Sequence, residues 1–529
     1  MISTHLSEFL DAEIGQLYVN GQFVSAVSGD DDFVLTHVTS DSRQVRESSV
    51  FVAIAGEHVD GHSFVSKLSG LVVAVVDHAI EDAAVPQLVV MDTVKALGDI
   101  ARLNIRKRKA FAARGMNEFT IIGITGSVGK TTTKDMLHAV LSRVAPTVAP
   151  QGSFNNDIGL PLTALEVNEK THFFVAEMGA SAIGEIAYLT TIAPPDISIV
   201  LKVGVAHLGG FGSVEGIRDA KSEIVRALSS SGVAILNADD DYVRTMVDMT
   251  KASSIIWFSR QNAEDFAKPK ISSMASSVIL RGTHTQVDEL NRARFTVALP
   301  DGNSFDLRLG ISGEHNVYNA LAVLSVIYSL DIPEHIAAQI LSQMTAISPH
   351  RMHIADVHHG EAAFTVIDDS FNANPDSMKA GLDALKAFRA QDAVQRIAVL
   401  GSMLELGPTE KEAHRSIGAY AMRKADVVVA VGLDSDSNLM DLAQNLADGA
   451  QAELKSVNAS VGVDTRADAN SDADSLETNT KRRVFVAHNA DEADQIVASL
   501  ARNNRSIVLL KGSHASGLSA LASRWLGTN

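Results

Sequence analysis

Cysteine is absent from all 529 residues. Disulfide bridges, thiol catalysis and cysteine metal sites are therefore excluded, and the composition is compatible with the cytosol. No apolar run approaches the roughly 20 residues that span a bilayer. Met1 to Leu10 carries Glu8 and lacks both a basic flank and an apolar stretch, so no secretory signal is expected. Positive charge is in deficit: 45 Lys and Arg stand against 63 Asp and Glu, a net charge of −18. That argues against a nucleic-acid-coating protein. It does not exclude small phosphate-bearing substrates, which need only local positive charge. No Ser/His/Asp or Cys/His constellation stands out, so no nucleophilic side chain is indicated. The expectation from these absences is a cytoplasmic protein with no membrane insertion and no nucleic-acid partner.

Hydrophobic residues make up 46% of the chain, enough for several cores, and its length suggests three or four domains at about 150 residues each. Three segments differ in pattern, giving expected domains at 1–115, 116–347 and 348–529. The first holds short strands, Val50 to Ile54 and Leu71 to Val76. A basic stretch with Arg102, Arg106, Lys107, Arg108 and Lys109 follows, read as a solvated helix leading into a linker. In the second, apolar runs at Phe119 to Thr125, Phe173 to Met178, Ile197 to Val203, Val233 to Leu236 and Ile255 to Phe258 alternate with helical patterns. That alternation predicts a parallel sheet with crossover helices, with a hairpin-rich edge at Val278 to Leu299. The third, from Ser348-Pro349, has strand candidates at Phe364 to Ile367, Arg396 to Leu400, Val427 to Val431, Val484 to Ala487 and Ile507 to Leu510. It reads as a second, doubly wound (Rossmann-like) α/β unit. Ser456 to Arg483 is polar with almost no large apolar groups, and is expected to be a flexible surface insertion.

The strongest local signal is Thr125-Gly126-Ser127-Val128-Gly129-Lys130-Thr131-Thr132, between a β-branched strand and a helix. Glycines let backbone N–H groups converge on phosphate oxygens, and the helix adds its positive end. Lys130 can reach the β- and γ-phosphates and the Thr131 hydroxyl can ligate Mg²⁺. The standard motif has glycine where Ile124 stands, so this is a shortened P-loop. Other candidates lie at carboxyl ends of strands, where such sheets bind ligands. Glu177 ends an apolar run, a costly place for a carboxylate unless it is paired or metal-bound. His207 precedes Gly209, Gly210 and Gly212. Lys221 lies at a helix start between Asp219 and Glu223, where a salt bridge is the plain alternative.

Together these positions resemble the Mur ligase family, ATP-dependent amide-forming enzymes of peptidoglycan precursor synthesis. The loop, Glu177, His207 and Lys221 occur in that family's order. Further matches are Asn155 to Thr163, Glu177 to Ser181, Gly313 to Ala320, Asp368 to Met378, Leu400 to Gly407 and Lys511-Gly512-Ser513, with Asp41-Ser42-Arg43 and Asp60-Gly61-His62 near the N-terminus. The resemblance implies an N-terminal UDP-sugar-binding domain, a central ATPase domain and a C-terminal acceptor-binding domain. It implies ATP and Mg²⁺, with UDP-N-acetylmuramoyl-tripeptide and D-alanyl-D-alanine as small-molecule substrates, joined through an acyl phosphate by a monomer. Ser42, Arg43 and the Glu57 to His62 turn, His58 included, resemble the UDP-sugar site, and Asn156 a substrate-facing residue. Thr131, Glu177 and His207 resemble metal ligands, and Lys221 a carbamylated lysine beside them. Asn316 and Asn319 would approach adenine, Asp369 the ribose and Arg351 the γ-phosphate. Asn372 and Asn374 would help form the acceptor site. Two departures stand out: His350 precedes Arg351 where the family usually has glycine, and His514 follows Ser513 where it usually has arginine. The Asp-Asn-Pro-Arg signature of a sister ligase that adds a diamino acid is absent. Asn372-Ala373-Asn374-Pro375 stands in its place and implies a dipeptide acceptor.

Overall fold

The computed structural model describes residues 1–27, 29–56, 59–204, 208–262, 276–345, 348–389, 394–461, 482–502 and 504–527. Three large sheets follow one another along the chain. The first has six strands in the spatial order Gln22–Val24, Gln16–Val19, Gln87–Val89, Val72–Val76, Ser49–Val52 and His37–Thr39. Its last four are parallel, and the first two pair antiparallel. Ser49–Val52 and Val72–Val76 are buried throughout, which explains their unbroken apolar sequence.

The central sheet has nine strands. Seven run parallel in the order Thr147–Val148, Phe173–Glu177, Thr120–Thr125, Ile197–Val200, Val233–Asn237, Ser254–Ser259 and Ser276–Val287. Arg292–Ala298 and Ser304–Ser312 extend it antiparallel, so the hairpin-rich edge lies where the sequence pattern changed. Thr120–Thr125 sits between Phe173–Glu177 and Ile197–Val200. The chain leaves it to one side and later returns to the other, so the crevice at its carboxyl end is a topological switch point.

The third sheet has six strands, in the order His353–His359, Ala362–Asp368, Ser506–Lys511, Gln395–Leu400, Val427–Val431 and Arg483–Ala487. Only the first pair is antiparallel. His353–His359 was missed by sequence, because its half-exposed edge position leaves it polar.

The basic stretch is not a solvated face. It belongs to the helix Thr93–Ala113, which joins the first sheet to the second. Arg108 is fully buried and donates to the carbonyls of Thr171 and Glu118 (2.7 and 2.8 Å). Lys107 pairs with Glu8 at 2.7 Å, and Lys109 donates to Pro194 O at 3.0 Å. Only Arg106 faces outward. The charges cluster because they satisfy carbonyls at a domain junction, where an Arg fork bonds several acceptors at once. One hydrophobic core runs through this junction, from Leu6 and Val75 through Ile100 to Phe174 and Leu236. The third sheet packs two cores of its own.

The polar segment also needs a correction at its edges. The helix Ser437–Val461 runs through Ser456, and the last parallel strand begins at Arg483. Residues 462–481 lie outside the described residues.

Asn104 fastens the junction: its amide donates to Ala164 O and Val167 O, both at 2.9 Å, and accepts from Ile2 N–H at 2.8 Å. Asn104→Ala strands three buried backbone groups, and should destabilise the chain by about 2–5 kcal/mol. Calorimetry of the variant should show the first two domains still unfolding in one transition, at lower temperature. A loss below about 0.5 kcal/mol would contradict the role of this contact.

Candidate active site

The phosphate loop turns sharply after Thr125. Gly129 has φ +86°, and a Cβ there would lie 2.5 Å from Asn319 Oδ1, so both conformation and space require glycine. The helix Lys130–Leu141 begins at once. Its first residue donates from Nζ to Gly126 O at 2.8 Å. Desolvation holds the Lys130 amine below its ordinary range. The Glu177 carboxylate opposes that shift and the Arg351 guanidinium adds to it. Thr131 Oγ1 donates to Glu177 Oε1 at 3.3 Å and lies 3.0 Å from Ser153 Oγ.

Glu177 is completely buried at its strand end. Asn155 donates to its Oε1 at 2.8 Å, while Oε2 has no hydrogen-bond partner among the described residues. A buried carboxylate oxygen left without a donor is costly. With the Thr131 hydroxyl beside it, the donors are all oxygen, the set that suits Mg²⁺. His207 lies outside the described residues.

Lys221 lies on the helix Val214–Arg226 and is 3% exposed. Neither neighbour expected as a salt-bridge partner is available. Asp219 pairs with Arg218 at 2.7 Å, and Glu223 accepts from the N–H groups of Gly184 and Ala187 (2.7 and 2.8 Å), capping the helix Glu185–Ile192. Desolvation, then repulsion from Lys130, lowers the Lys221 amine from 10.5 to about 7.

The C-terminal domain closes the other side. Arg351 Nη2 donates to Ser153 Oγ at 3.2 Å and to Thr131 Oγ1 at 3.4 Å, and its guanidinium lies 4.6 Å from the Phe371 ring centroid. Asn374 caps the helix Pro375–Ala387 and donates to Ser127 O at 3.4 Å. Lys511 donates to Asp369 Oδ2 at 2.5 Å and to Asn372 O at 3.2 Å, so it braces the loop between them. Asn316 and Asn319 are buried and bonded to each other at 2.8 Å. A cavity of about 1000 Å³ joins all these groups with Asn156.

Other expected residues stand apart. Ser42 and Arg43 do not line this cavity. They form the turn Ser42–Gln44, where the Arg43 guanidinium is bound by Asp41 at 2.8 Å. Glu57 and His58 lie outside the described residues. Sequence reasoning gave no role to Ser153, Asn155 or Lys511. Asn155 and Lys511 stood inside recognised motifs. Ser153 carried no signal of its own.

Comparison with known proteins agrees with this layout. Family models match at residues 34–104 (Mur ligase family, catalytic domain), 124–327 (Mur ligase middle domain) and 350–514 (Mur ligase, glutamate ligase domain). The UDP-N-acetylmuramoyl-tripeptide--D-alanyl-D-alanine ligase of Mycobacterium tuberculosis H37Rv is 36% identical over 509 residues, covering 92% of this chain and 91% of that protein. The Escherichia coli K12 protein of the same name is 33% identical, covering 82% and 87%. A crystal structure of MurF from Acinetobacter baumannii superposes with a TM-score of 0.75 at 28% identity, covering 98% of both chains.

Lys221 has no salt-bridge partner among the described residues, and its burial bears on stability. Its folded pKa lies below the unfolded one, so the unfolded chain holds that proton more tightly. The resulting stability deficit is full below about pH 7 and shrinks as pH rises toward 10.5. In carbonate-free buffer, Lys221→Met should raise the thermal midpoint, more near pH 6 than about pH 9. A lower midpoint at every pH would mean that the amine has a stabilising partner.

Proposed function

Because this chain belongs to the Mur ligase family, we propose that it is the ATP-dependent ligase joining D-alanyl-D-alanine to UDP-N-acetylmuramoyl-tripeptide in peptidoglycan precursor synthesis. The observation that carries this reading is one cavity in which the phosphate loop, Glu177 and Lys221 face Arg351 and the Asn372 to Asn374 loop. The chemistry explains why those groups are needed. A carboxylate is a poor electrophile, and transfer of the γ-phosphoryl group to it gives an acyl phosphate that an amine can attack. Such transfer depends on positioning and on neutralising charge. Lys130 and the loop N–H groups hold the β- and γ-phosphates from one side, and Arg351 meets the γ-phosphate from the other. Asn316 and Asn319 face the adenine. Asp369, held by Lys511, faces the ribose.

Thr131 and Glu177 would hold Mg²⁺, and the family resemblance gives His207 as a further ligand. The ion supplies charge neutralisation at the transferring phosphoryl group. Ser42, Arg43 and His58 belong to the UDP-sugar end of the substrate, and Asn156 to its peptide end. Asn372 and Asn374 orient the acceptor dipeptide. The acyl phosphate is water-sensitive, and the C-terminal domain over the loop shields it. The enzyme acts in the cytoplasm as a monomer.

Lys221 is read as a carbamate. An amine near pKa 7 has a substantial neutral fraction at physiological pH, and a neutral amine captures CO₂. Forming the C–N bond releases one proton, so the neutral amine becomes a carbamate anion, which adds oxygen donors to the cavity that Glu177 also lines. The anion attracts Lys130, whose charge disfavours an ammonium at this position.

Two measurements test this. ADP and phosphate should be released only when UDP-N-acetylmuramoyl-tripeptide and D-alanyl-D-alanine are both present; equal turnover with meso-diaminopimelate or lysine as acceptor would overturn the assignment. Lys221→Ala should be nearly inactive and regain part of its turnover with millimolar short carboxylic acids, whereas Lys221→Arg should stay inactive. Wild-type turnover by Lys221→Arg would eliminate the carbamate.

A further inference from the structure

Between the second and third sheets the chain crosses through Ser348, Pro349 and His350. Each end of this crossing is gripped by a carboxylate of a different domain. On the central side, Asp135 lies one turn beyond Lys130 on the phosphate-loop helix. Its Oδ2 accepts from Ser348 N–H at 2.8 Å, and its Oδ1 takes the Lys134 ammonium at 2.5 Å. Lys134 is 2% exposed and does not line the cavity. It donates also to Pro150 O at 2.9 Å and reaches Ser348 Oγ at 3.5 Å. One buried cation thus ties the phosphate-loop helix, the crossing and the segment leading to Ser153.

On the C-terminal side, His350 Nδ1 donates to Asp368 Oδ2 at 2.8 Å. Asp368 is 1% exposed, and its other oxygen accepts from Ser370 N–H and Oγ. His350 has φ +60°, a left-handed conformation that costs a histidine energy and persists only when its surroundings hold it. Pro349 restricts the backbone between the two grips. The next residue is Arg351, whose Nη2 reaches Ser153 and Thr131.

We infer that Ser348 to His350 is a clamped pivot. Asp135, backed by Lys134, and His350 are positioning residues that set how Arg351 approaches the phosphate loop. The inference rests on the ligase reading, in which Arg351 meets the γ-phosphate. A guanidinium displaced by about 1 Å can cost as much as a hundredfold in rate, which gives such a clamp a function beyond stability.

The test is a double-mutant cycle in the full chain. Asp135→Ala and His350→Ala should each lower kcat by about ten- to a hundredfold, with KM for ATP changing less than about threefold. Neither should have a further effect once Arg351 is alanine. His350→Asn should recover most of the loss. Its amide nitrogen takes the place of Nδ1, and asparagine tolerates a positive φ. His350→Gly relieves the backbone without restoring the contact, so it should keep its thermal midpoint and remain slow. Wild-type kcat in both His350→Ala and His350→Gly, or losses that multiply with Arg351→Ala, would overturn the pivot. If Asp135→Ala does not fold, the His350 series decides alone. A second readout needs no acceptor: the affinity ratio of a non-hydrolysable ATP analogue to ADP. His350→Ala should reduce it to the value of Arg351→Ala, and an unchanged ratio would overturn the pivot. Absence of wild-type turnover with the proposed substrates would instead defeat the ligase reading, while the binding ratio still tests the pivot.

Discussion

The centre of this molecule is governed by the burial of cationic groups beside one another. Lys130, Lys221 and Arg351 line one cavity, and Glu177, completely buried, is the carboxylate that faces Lys130. Burial away from water disfavours an ammonium, and a neighbouring cation disfavours it further. That is why Lys221 falls to about 7 and why Lys130 is lowered despite Glu177. A chain with net charge −18 has carboxylates to spare, yet those nearest Lys221 in sequence are engaged elsewhere.

The architecture divides the charge between two bodies with different kinds of connection. The first two domains share a hydrophobic core and a junction sealed by Asn104 and Arg108. Burial of that kind keeps Lys130, Glu177 and Lys221 in a fixed relation. The C-terminal domain meets the same site through polar contacts: Arg351 to Thr131, Asn374 to Ser127, and Lys202 to Asp376 at 3.6 Å. Polar interdomain surfaces are easily exchanged for water. The two junctions therefore differ in chemistry: apolar burial joins the first two domains, and polar contacts bring the third to the site.

Much of this was readable in advance. The β-branched runs at Thr120–Thr125 and Val427–Val431 are buried on both faces and could be nothing but interior parallel strands. The phosphate loop was legible because its glycines, lysine and threonine are contiguous. The basic helix was misread, because a run of Lys and Arg looks the same whether it faces water or a row of carbonyls. The polar edge strand His353–His359 was missed for a related reason: one half-exposed strand carries no strong apolar period.

Most strands and helices, the nucleotide loop and the family were legible in the chain, since each rests on residues close together in it. Which side chains meet is a property of the folded molecule. Thr131 and Arg351 are 220 positions apart, and Ser127 and Asn374 are 247 apart. No local periodicity encodes such pairs. They exist because the switch point of one sheet is faced by the strand ends of another. Geometry likewise decided that Lys221 has no salt-bridge partner among the described residues, for the two carboxylates beside it in sequence point to other donors.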